Sequence, residues 1–138
     1  MSRVAQAKNN MNILGIDWGK KRIGLAWVQG GLDVVLPFGV IDASKKDPMT
    51  ELAKIIAEEK IDVVVFGLPK ALSGAEGENA ENVRNIGALL AQKTKVKVEF
   101  LDERFSSAAA DRFAPSGDGA SRDEKAAMII VQAYLDQK

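Results

Sequence analysis

The sequence predicts an α/β fold in which a five-stranded mixed sheet is flanked by helices. Three short apolar segments come first and are separated only by loops, so they can pair as antiparallel strands. Later apolar segments alternate with segments of helical periodicity, and a helical crossover between two strands makes them parallel. One of these later segments is apolar throughout, which is typical of a strand buried on both faces.

The first three strands are predicted over residues 12–17, 22–28 and 34–40. The first is a short apolar run that ends in an acid. Gly19 lies in the turn that follows it and is available for positive φ there. The third strand contains Pro37, which cannot donate a hydrogen bond to the sheet and therefore indicates an edge strand or a bulge.

The remaining elements alternate between helix and strand. Asp47 and Pro48 are a helix cap and a first helical residue, and that helix is expected to end near Lys60. Its apolar side chains recur at helical spacing: Leu52, Ile55 and Ile56. The next elements are a strand at 62–67, a helix at 78–93 and a strand at 96–101. A short helix then starts at Ser106 or Ser107 and ends before Pro115. The last helix extends to Asp136, and Ser121 and Glu124 at its start form a capping box.

The composition limits the chemistry that the chain can perform. It contains no cysteine and no histidine among 138 residues, which excludes catalytic triads with His, thiolate nucleophiles and zinc sites built from Cys or His. Catalysis would have to use carboxylates, Lys, Tyr, Ser, Thr or a metal. Oxygen ligands favour hard cations such as Mg²⁺ or Mn²⁺. The net charge is zero, so any contact with nucleic acid would depend on local clusters of charge.

The chain length indicates one domain, which we place at residues 12–138 after a flexible tail at 1–11. The longest apolar run, Val63–Leu68, is far short of the roughly 20 residues that a membrane helix needs. The first ten residues lack the apolar stretch of a secretory signal. With the absence of cysteine, these features predict a cytoplasmic protein.

Three acidic sites are candidates for catalysis. Asp17 ends the first strand, the Asp102–Glu103 pair ends the fifth, and Asp123 begins the last helix. Each has an ordinary alternative role: Asp17 could cap its turn, the pair could be surface charge next to Arg104, and Asp123 could complement the helix dipole. Together they suggest more, because carboxylates that converge from separate elements can hold two metal ions for phosphodiester hydrolysis.

Four segments resemble, in order, the motifs of the YqgF/RuvX family of Holliday-junction-resolvase-like proteins. They are GIDWGKKRIGLAW from residue 15, GLPKALSGAEGENAENVRNI from 67, LDERFSSAAA from 101 and DEKAAMIIVQAYL from 123. The resemblance covers residues 12–135 and implies an RNase H-like fold. Trp18 departs from the pattern, because a smaller residue or a tyrosine is common there, and Ser106 and Ser107 replace a usual pair of threonines.

The resemblance also implies an activity. The family is associated with maturation of the 5′ end of pre-16S ribosomal RNA, and some members with the resolution of Holliday junctions. It implies that Asp17, Asp102, Glu103 and Asp123 are the catalytic residues and the ligands of Mg²⁺ or Mn²⁺, without deciding between the two members of the pair. We therefore expect a metal-dependent endonuclease acting on pre-rRNA or branched DNA. As partners we expect nucleic acid and ribosomal particles but no membrane, and the protein would be a monomer or a homodimer.

Basic residues near these motifs are candidate contacts for phosphate groups: Lys20, Lys21, Arg22, Lys70, Arg84 and Arg104. Arg22 and Arg104 have the strongest claim because they flank the acids. For each of the six, a solvated surface charge or a salt bridge is the alternative. The loop at 68–77 could present backbone N–H groups to phosphate, but it lacks the Gly-Lys-Ser/Thr of a P-loop.

Two other functions are compatible with the sequence. An Asp-x-Gly turn after a first strand also opens the phosphate loop of actin-like ATPases and sugar kinases, which share the RNase H-like core but need two such domains. A non-catalytic protein of the same fold that binds RNA or the ribosome is compatible with zero net charge.

Overall fold

The computed structural model describes residues 10–32, 34–69, 77–102 and 120–137. The elements within these residues are, in chain order, β1 (Ile13–Asp17), β2 (Arg22–Val28), β3 (Leu36–Asp42), α1 (Pro48–Glu58), β4 (Val63–Leu68), α2 (Glu78–Thr94), β5 (Lys97–Asp102) and α3 (Arg122–Asp136). The predicted helix after Ser106 and most of the predicted N-terminal tail lie outside the described residues.

The five strands form one mixed sheet in the order β3-β2-β1-β4-β5. β1 pairs antiparallel with β2, and β2 pairs antiparallel with β3. β4 is parallel to both β1 and β5, as the helical crossovers require. The predicted mixed sheet is therefore confirmed. Because β1, β4 and β5 run in the same direction, their carboxyl ends lie at one edge of the sheet.

The helices cover the two faces of the sheet separately. One face, here called the α1/α2 face, has a core formed by alternate strand residues and both helices: Leu14, Ile16, Ile23, Leu25, Leu52, Ile56, Val64, Phe66, Leu68, Ala80, Val83 and Leu90. The other, the α3 face, has a core to which the last helix contributes: Ile13, Ala26, Val28, Val63, Val65, Leu101, Ala127, Ile130, Val131 and Tyr134. Every residue of β4 is buried, as its uninterrupted apolar sequence predicts.

Two helix starts agree with the predicted caps. The Asp47 carboxylate accepts a hydrogen bond of 3.1 Å from the backbone N–H of Thr50. At the start of α3, the Ser121 hydroxyl accepts from the N–H of Glu124 at 3.2 Å, and the Glu124 carboxylate accepts from the N–H of Ser121 at 2.9 Å. This reciprocal capping box fixes where α3 begins, and Asp123 follows two residues after the cap.

The third strand lies two residues later than predicted. Val34 is exposed, and pairing with β2 begins only at Leu36. The register shifts between Leu25 and Ala26 of β2, next to Pro37, which lies opposite Ala26. The prediction that Pro37 marks an edge strand or a bulge is confirmed. The pairing energy of a neighbouring strand, which sequence alone does not reveal, sets the boundary.

Gly19 does not adopt the positive φ for which it is available in the turn after β1. Among the described glycines, only Gly31 and Gly39 have positive φ. Gly19 is required for a different reason: a Cβ atom there would overlap the carbonyl oxygen of Arg22. The turn between β1 and β2 is therefore tight because two backbone segments touch, and not because it uses the left-handed conformation.

Asn12 ties the start of β1 to two neighbouring loops. Its side-chain amide donates to the carbonyl oxygens of Glu59 and Lys60, each at 3.1 Å, and its amide oxygen accepts from the N–H of Gly30 at 2.7 Å. Asn12→Ala removes all three bonds. We expect the free energy of unfolding to fall by about 1–3 kcal/mol, measured by chemical denaturation.

Asn85→Ala is the matched control for this prediction, because Asn85 is exposed on α2 and is not a cap. Equal stability of the two variants would show that the Asn12 bonds exchange with water at no cost.

No helix among the described residues is long and apolar enough to cross a membrane.

Candidate active site

Asp17 is a half-buried carboxyl group at the edge of the sheet where the parallel strands end. It is the last residue of β1 and lies opposite Gly24 of β2. Strand alternation places it on the α3 face, with Ile13 and Gly15. Burial, and then the negative charge of Asp123, raise the pKa of Asp17 above its ordinary value of 3.8. A carboxyl group held in this way next to a second one is a candidate for binding a cation.

Asp123 reaches this position because α3 packs unusually close to β2. A Cβ atom at Gly24 would overlap the backbone carbonyl oxygen of Asp123. Only glycine therefore allows the first turn of α3 to rest on the strand at this point. Since Gly24 is the partner of Asp17 in the sheet, this close approach sets the two carboxyl groups near each other.

Arg22 holds Asp123 from the solvent side. Its Nε lies 3.0 Å from Oδ2 of Asp123, while the arginine side chain stays 67% exposed and the aspartate 26%. An ion pair with this much exposure adds little stability, typically below about 1 kcal/mol. Its consequence is orientation, because it fixes one oxygen of Asp123 and leaves much of the guanidinium accessible to a phosphate.

Among the described residues, Asp102 does not form a three-carboxylate group with Asp17 and Asp123. It ends β5 opposite Leu68 of β4, and strand alternation gives it the same face as Val98 and Phe100, which pack on the α1/α2 core. Asp17 belongs to the opposite face. Within the described ranges, no three acidic side chains lie close enough to hold a metal ion. Glu103, the other member of the predicted pair, lies outside those ranges.

A basic groove adjoins Asp123. It has a volume of about 420 Å³ and is lined by Gly19, Lys20, Lys21, Arg22, Asp42, Ser44 and Asp123. Lys20, Lys21 and Arg22 are all exposed. The structure thus gathers three of the predicted phosphate contacts beside Asp123, because the short turn between β1 and β2 presents them from one loop.

The other predicted phosphate contacts are distributed differently. The guanidinium of Arg84 lies over the ring of Phe100, 5.1 Å from its centroid, so this residue contributes to packing between α2 and β5. Lys70 and Arg104 lie outside the described residues.

The sequence interpretation missed Asp42 as a member of the groove. Hydrogen bonds from the side chain and then the backbone of Ser44 hold the pKa of Asp42 below its ordinary value, so it is ionised at neutral pH. It pairs with Arg22 across β2 and β3. Counting residues through the antiparallel hairpin could have revealed this pairing, but the bulge near Pro37 shifts the register and hides it.

Three further residues were missed, and they line a second cleft on the other side of the β1–β2 turn: Trp18, Asn79 and Asn82. Polar side chains at positions i and i+3 of a helix are ordinary on a solvated surface, so the sequence carries no distinct signal for them.

The donor set suits a hard divalent cation. Asp17 and Asp123 are like charges whose proximity raises one pKa, and a bound cation would relieve that repulsion. Oxygen ligands select Mg²⁺ or Mn²⁺ over softer metals. The described residues provide two carboxylates for such a site, which leaves room for water and substrate oxygens as the remaining ligands.

Comparisons with known proteins agree over nearly the whole chain. The model of the RuvX family, described as "Holliday junction resolvase", matches residues 11–137. A protein of Chlamydia trachomatis serovar L2 named "Putative pre-16S rRNA nuclease" is 36% identical over 142 residues, covering 96% of each chain. A protein of the same name from Agathobacter rectalis is 37% identical, covering 91% of this chain and 95% of the relative.

The fold is similar to that of T. thermophilus RuvC, an RNase H-like protein. The RuvC structure in complex with a Holliday junction substrate has a TM-score of 0.60 and 17% identity, covering 89% of this chain and 91% of that one. A second structure of this RuvC has a TM-score of 0.61 and 16% identity, covering 89% and 92%. At this level of identity the similarity shows the RNase H-like fold.

Proposed function

This chain belongs to the RuvX family, and from that premise we propose that it is a metal-dependent nuclease that hydrolyses phosphodiester bonds in the 5′-end processing of pre-16S rRNA. The observation that carries the proposal is the half-buried Asp17 beside Asp123, next to a groove with three exposed cations. Paired carboxylates beside phosphate-binding groups are what metal-assisted phosphodiester hydrolysis requires.

In this proposal the acids hold the cation. Asp17 and Asp123 would bind Mg²⁺ or Mn²⁺, and one member of the Asp102–Glu103 pair would add a third carboxylate. Because Asp102 forms no three-carboxylate group with Asp17 and Asp123 among the described residues, we favour Glu103 for this role. The bound metal would activate a water molecule and stabilise the leaving oxygen.

The basic residues would position the strand. Lys20 and Lys21 are exposed at the groove and would contact phosphates as point charges. Arg22 would contact a phosphate while it keeps Asp123 oriented. We retain Lys70 and Arg104 as proposed phosphate contacts from the family motifs, whereas the stacking of Arg84 on Phe100 favours a structural role for that residue.

The names of the relatives support RNA as the substrate, and the description of the family model supports a second candidate, a four-way DNA junction. A junction has two-fold symmetry and calls for a homodimer, whereas trimming an RNA end needs only a monomer. We favour the monomer acting on RNA.

We also propose that residues 12–138 form one domain, that the protein works in the cytoplasm, and that it acts on pre-rRNA within ribosomal particles.

A cleavage assay tests the proposal. Purified protein is incubated with a pre-16S rRNA fragment that carries the 5′ extension, or with a four-way DNA junction, in Mg²⁺, in Mn²⁺ and in EDTA. We expect metal-dependent cleavage of the RNA, and little of the junction. Preferred cleavage of the junction would establish the second candidate. Stable RNA binding with no cleavage of either substrate in both metals would show a non-catalytic binding protein.

A further inference from the structure

A cleft lies on the side of the β1–β2 turn away from the basic groove, and apart from Asp17 and Lys20 its described lining residues have no role in the nuclease proposed above. Its volume is about 300 Å³, at the lower end for small-molecule sites. Among the described residues, its lining comes from the β1–β2 turn, the end of β4 and the first turns of α2, and it includes Trp18, Lys20, Asn79, Asn82 and Val83.

The charges of this cleft do not suit a phosphate. Lys20 is the one cation among the described residues that line it, and the acidic residue Asp17 lines it as well. The neighbouring groove differs, because Lys20, Lys21 and Arg22 all line it. A phosphate is therefore better held in the groove than in the cleft.

The remaining lining groups suit a flat ring with polar edges. Trp18 is half-buried, so its indole is held by packing against the α1/α2 core while part of it stays accessible at the cleft. Stacking on an aromatic side chain is how proteins hold bases that are not stacked in a helix.

Asn79 and Asn82 supply the polar edge. They lie at positions i and i+3 of α2, with the buried Val83 next to them, so all three side chains share one side of the helix. Each amide has both donors and an acceptor, the combination that matches the edge of a base. Both are exposed, and neither has a side-chain hydrogen bond to another described residue.

Cleft and groove also share a wall, because Gly19 and Lys20 line both. A strand whose phosphates follow the groove would pass the mouth of the cleft at this turn. We propose that the cleft binds an unpaired nucleobase of that strand, stacked on Trp18 and hydrogen-bonded by Asn79 and Asn82. The inference rests on the proposed function only in taking a nucleic-acid strand as the ligand.

A binding experiment without metal tests the inference separately from cleavage. Trp18 and Trp27 are the two tryptophans of the chain, so Trp27→Phe leaves Trp18 as the fluorescent reporter. In EDTA and low salt, this variant is titrated with a single-stranded deoxyadenylate octamer, with an octamer of the same charge made of abasic sites, and with AMP. We expect the deoxyadenylate octamer to change Trp18 emission and to bind about tenfold or more tightly than the abasic one. AMP should bind more weakly than the octamer.

The double substitution Asn79→Ala with Asn82→Ala is expected to reduce the preference for the base-containing octamer severalfold. Asn85→Ala is the matched control, because Asn85 is exposed on the same helix and does not line the cleft, so it should leave the preference unchanged. Both variants change solvent-exposed side chains, and circular dichroism verifies their folding.

Several results would overturn the inference. These are no saturable binding of the octamer, equal affinity for the abasic octamer, equal loss with Asn85→Ala, or binding of AMP as tight as that of the octamer, which would indicate a site for free mononucleotides. A protein that cleaves RNA but ignores the missing bases would overturn the base site and leave the nuclease proposal intact. Base-dependent binding without any cleavage would support the base site and contradict the nuclease proposal.

Discussion

Asp17→Asn is expected to reduce metal-dependent cleavage by about a hundredfold or more while making the metal-free protein more stable. The loss of activity follows because the amide cannot replace a carboxylate that holds a metal where charge develops, and such electrostatic groups are typically worth factors of about 10²–10³. The gain in stability follows because Asp17 is half-buried and close to Asp123. An asparagine side chain fits the same space without the charge.

The sign of the effect on stability comes from the direction of the pKa shift. The pKa of Asp17 is raised in the folded protein, so the folded state holds this proton more tightly than the unfolded chain does. The free energy of unfolding therefore falls as the pH rises from the ordinary value of 3.8 through the raised value. At neutral pH the wild-type protein has lost the stability that the protonated Asp17 provides at low pH. The Asp17→Asn variant has no carboxyl group to ionise, so it does not lose this stability.

The measurement is the thermal unfolding midpoint at neutral pH, first in EDTA and then in Mg²⁺ or Mn²⁺. In EDTA the Asp17→Asn variant should have a higher midpoint than wild type. Added metal should raise the midpoint of wild type by binding the folded state and should have little effect on the variant. Glu81→Gln, which removes an exposed carboxylate on α2, is the control and should behave as wild type in both respects.

Two results would contradict this account. Full cleavage activity in Asp17→Asn would show that Asp17 is not a ligand. A lower midpoint of the variant in EDTA would show that the carboxylate makes a favourable contact that outweighs its burial and its repulsion by Asp123.

Gly24→Ala is expected to damage the site through the backbone. The added methyl group would overlap the carbonyl oxygen of Asp123, which cannot rotate away as a side chain can. The first turn of α3 would have to move, and Asp123 would move away from Asp17. Overpacking of this kind typically costs about 1–3 kcal/mol of stability. Cleavage should fall by more than this loss explains, because a displacement of about 1 Å can cost roughly 10²-fold in rate.

Gly15→Ala is the matched control for Gly24→Ala. It lies on the same face of the sheet, and its added methyl group would overlap a side-chain methyl of the buried Val131 and press on the backbone carbonyl oxygen of Ala127. Both residues belong to α3 but lie one turn or more after Asp123. We expect Gly15→Ala to lower the denaturation midpoint about as much as Gly24→Ala does. At a temperature where both variants are folded, Gly15→Ala should retain much more of the cleavage activity than Gly24→Ala. Equal losses of activity would attribute the Gly24→Ala effect to general destabilisation.

Much of the fold could be predicted because its signals are local. The mixed sheet could be identified from the apolar run at 62–67 and from the alternation of helices and strands. Two helix starts could be identified from their capping residues, Asp47 and Ser121. The boundaries of β3 and the φ of Gly19 could not be predicted. The first depends on pairing with β2, and the second on how closely the backbone of Arg22 approaches Gly19 within the turn. Neither follows from residue type alone.

For the candidate site, the residue types alone restrict the possible chemistry. A chain without His or Cys leaves carboxylates and hard cations, and strand ends and a helix start supplied the candidate acids. Which of these acids can act together depends on how the chain folds. The tertiary structure brings Asp123 to Asp17 through the missing side chain at Gly24 and places Asp102 on the other face of the sheet. The physical reason is that side-chain type is a property of the residue, whereas proximity depends on strand register and on how closely a helix can approach a strand.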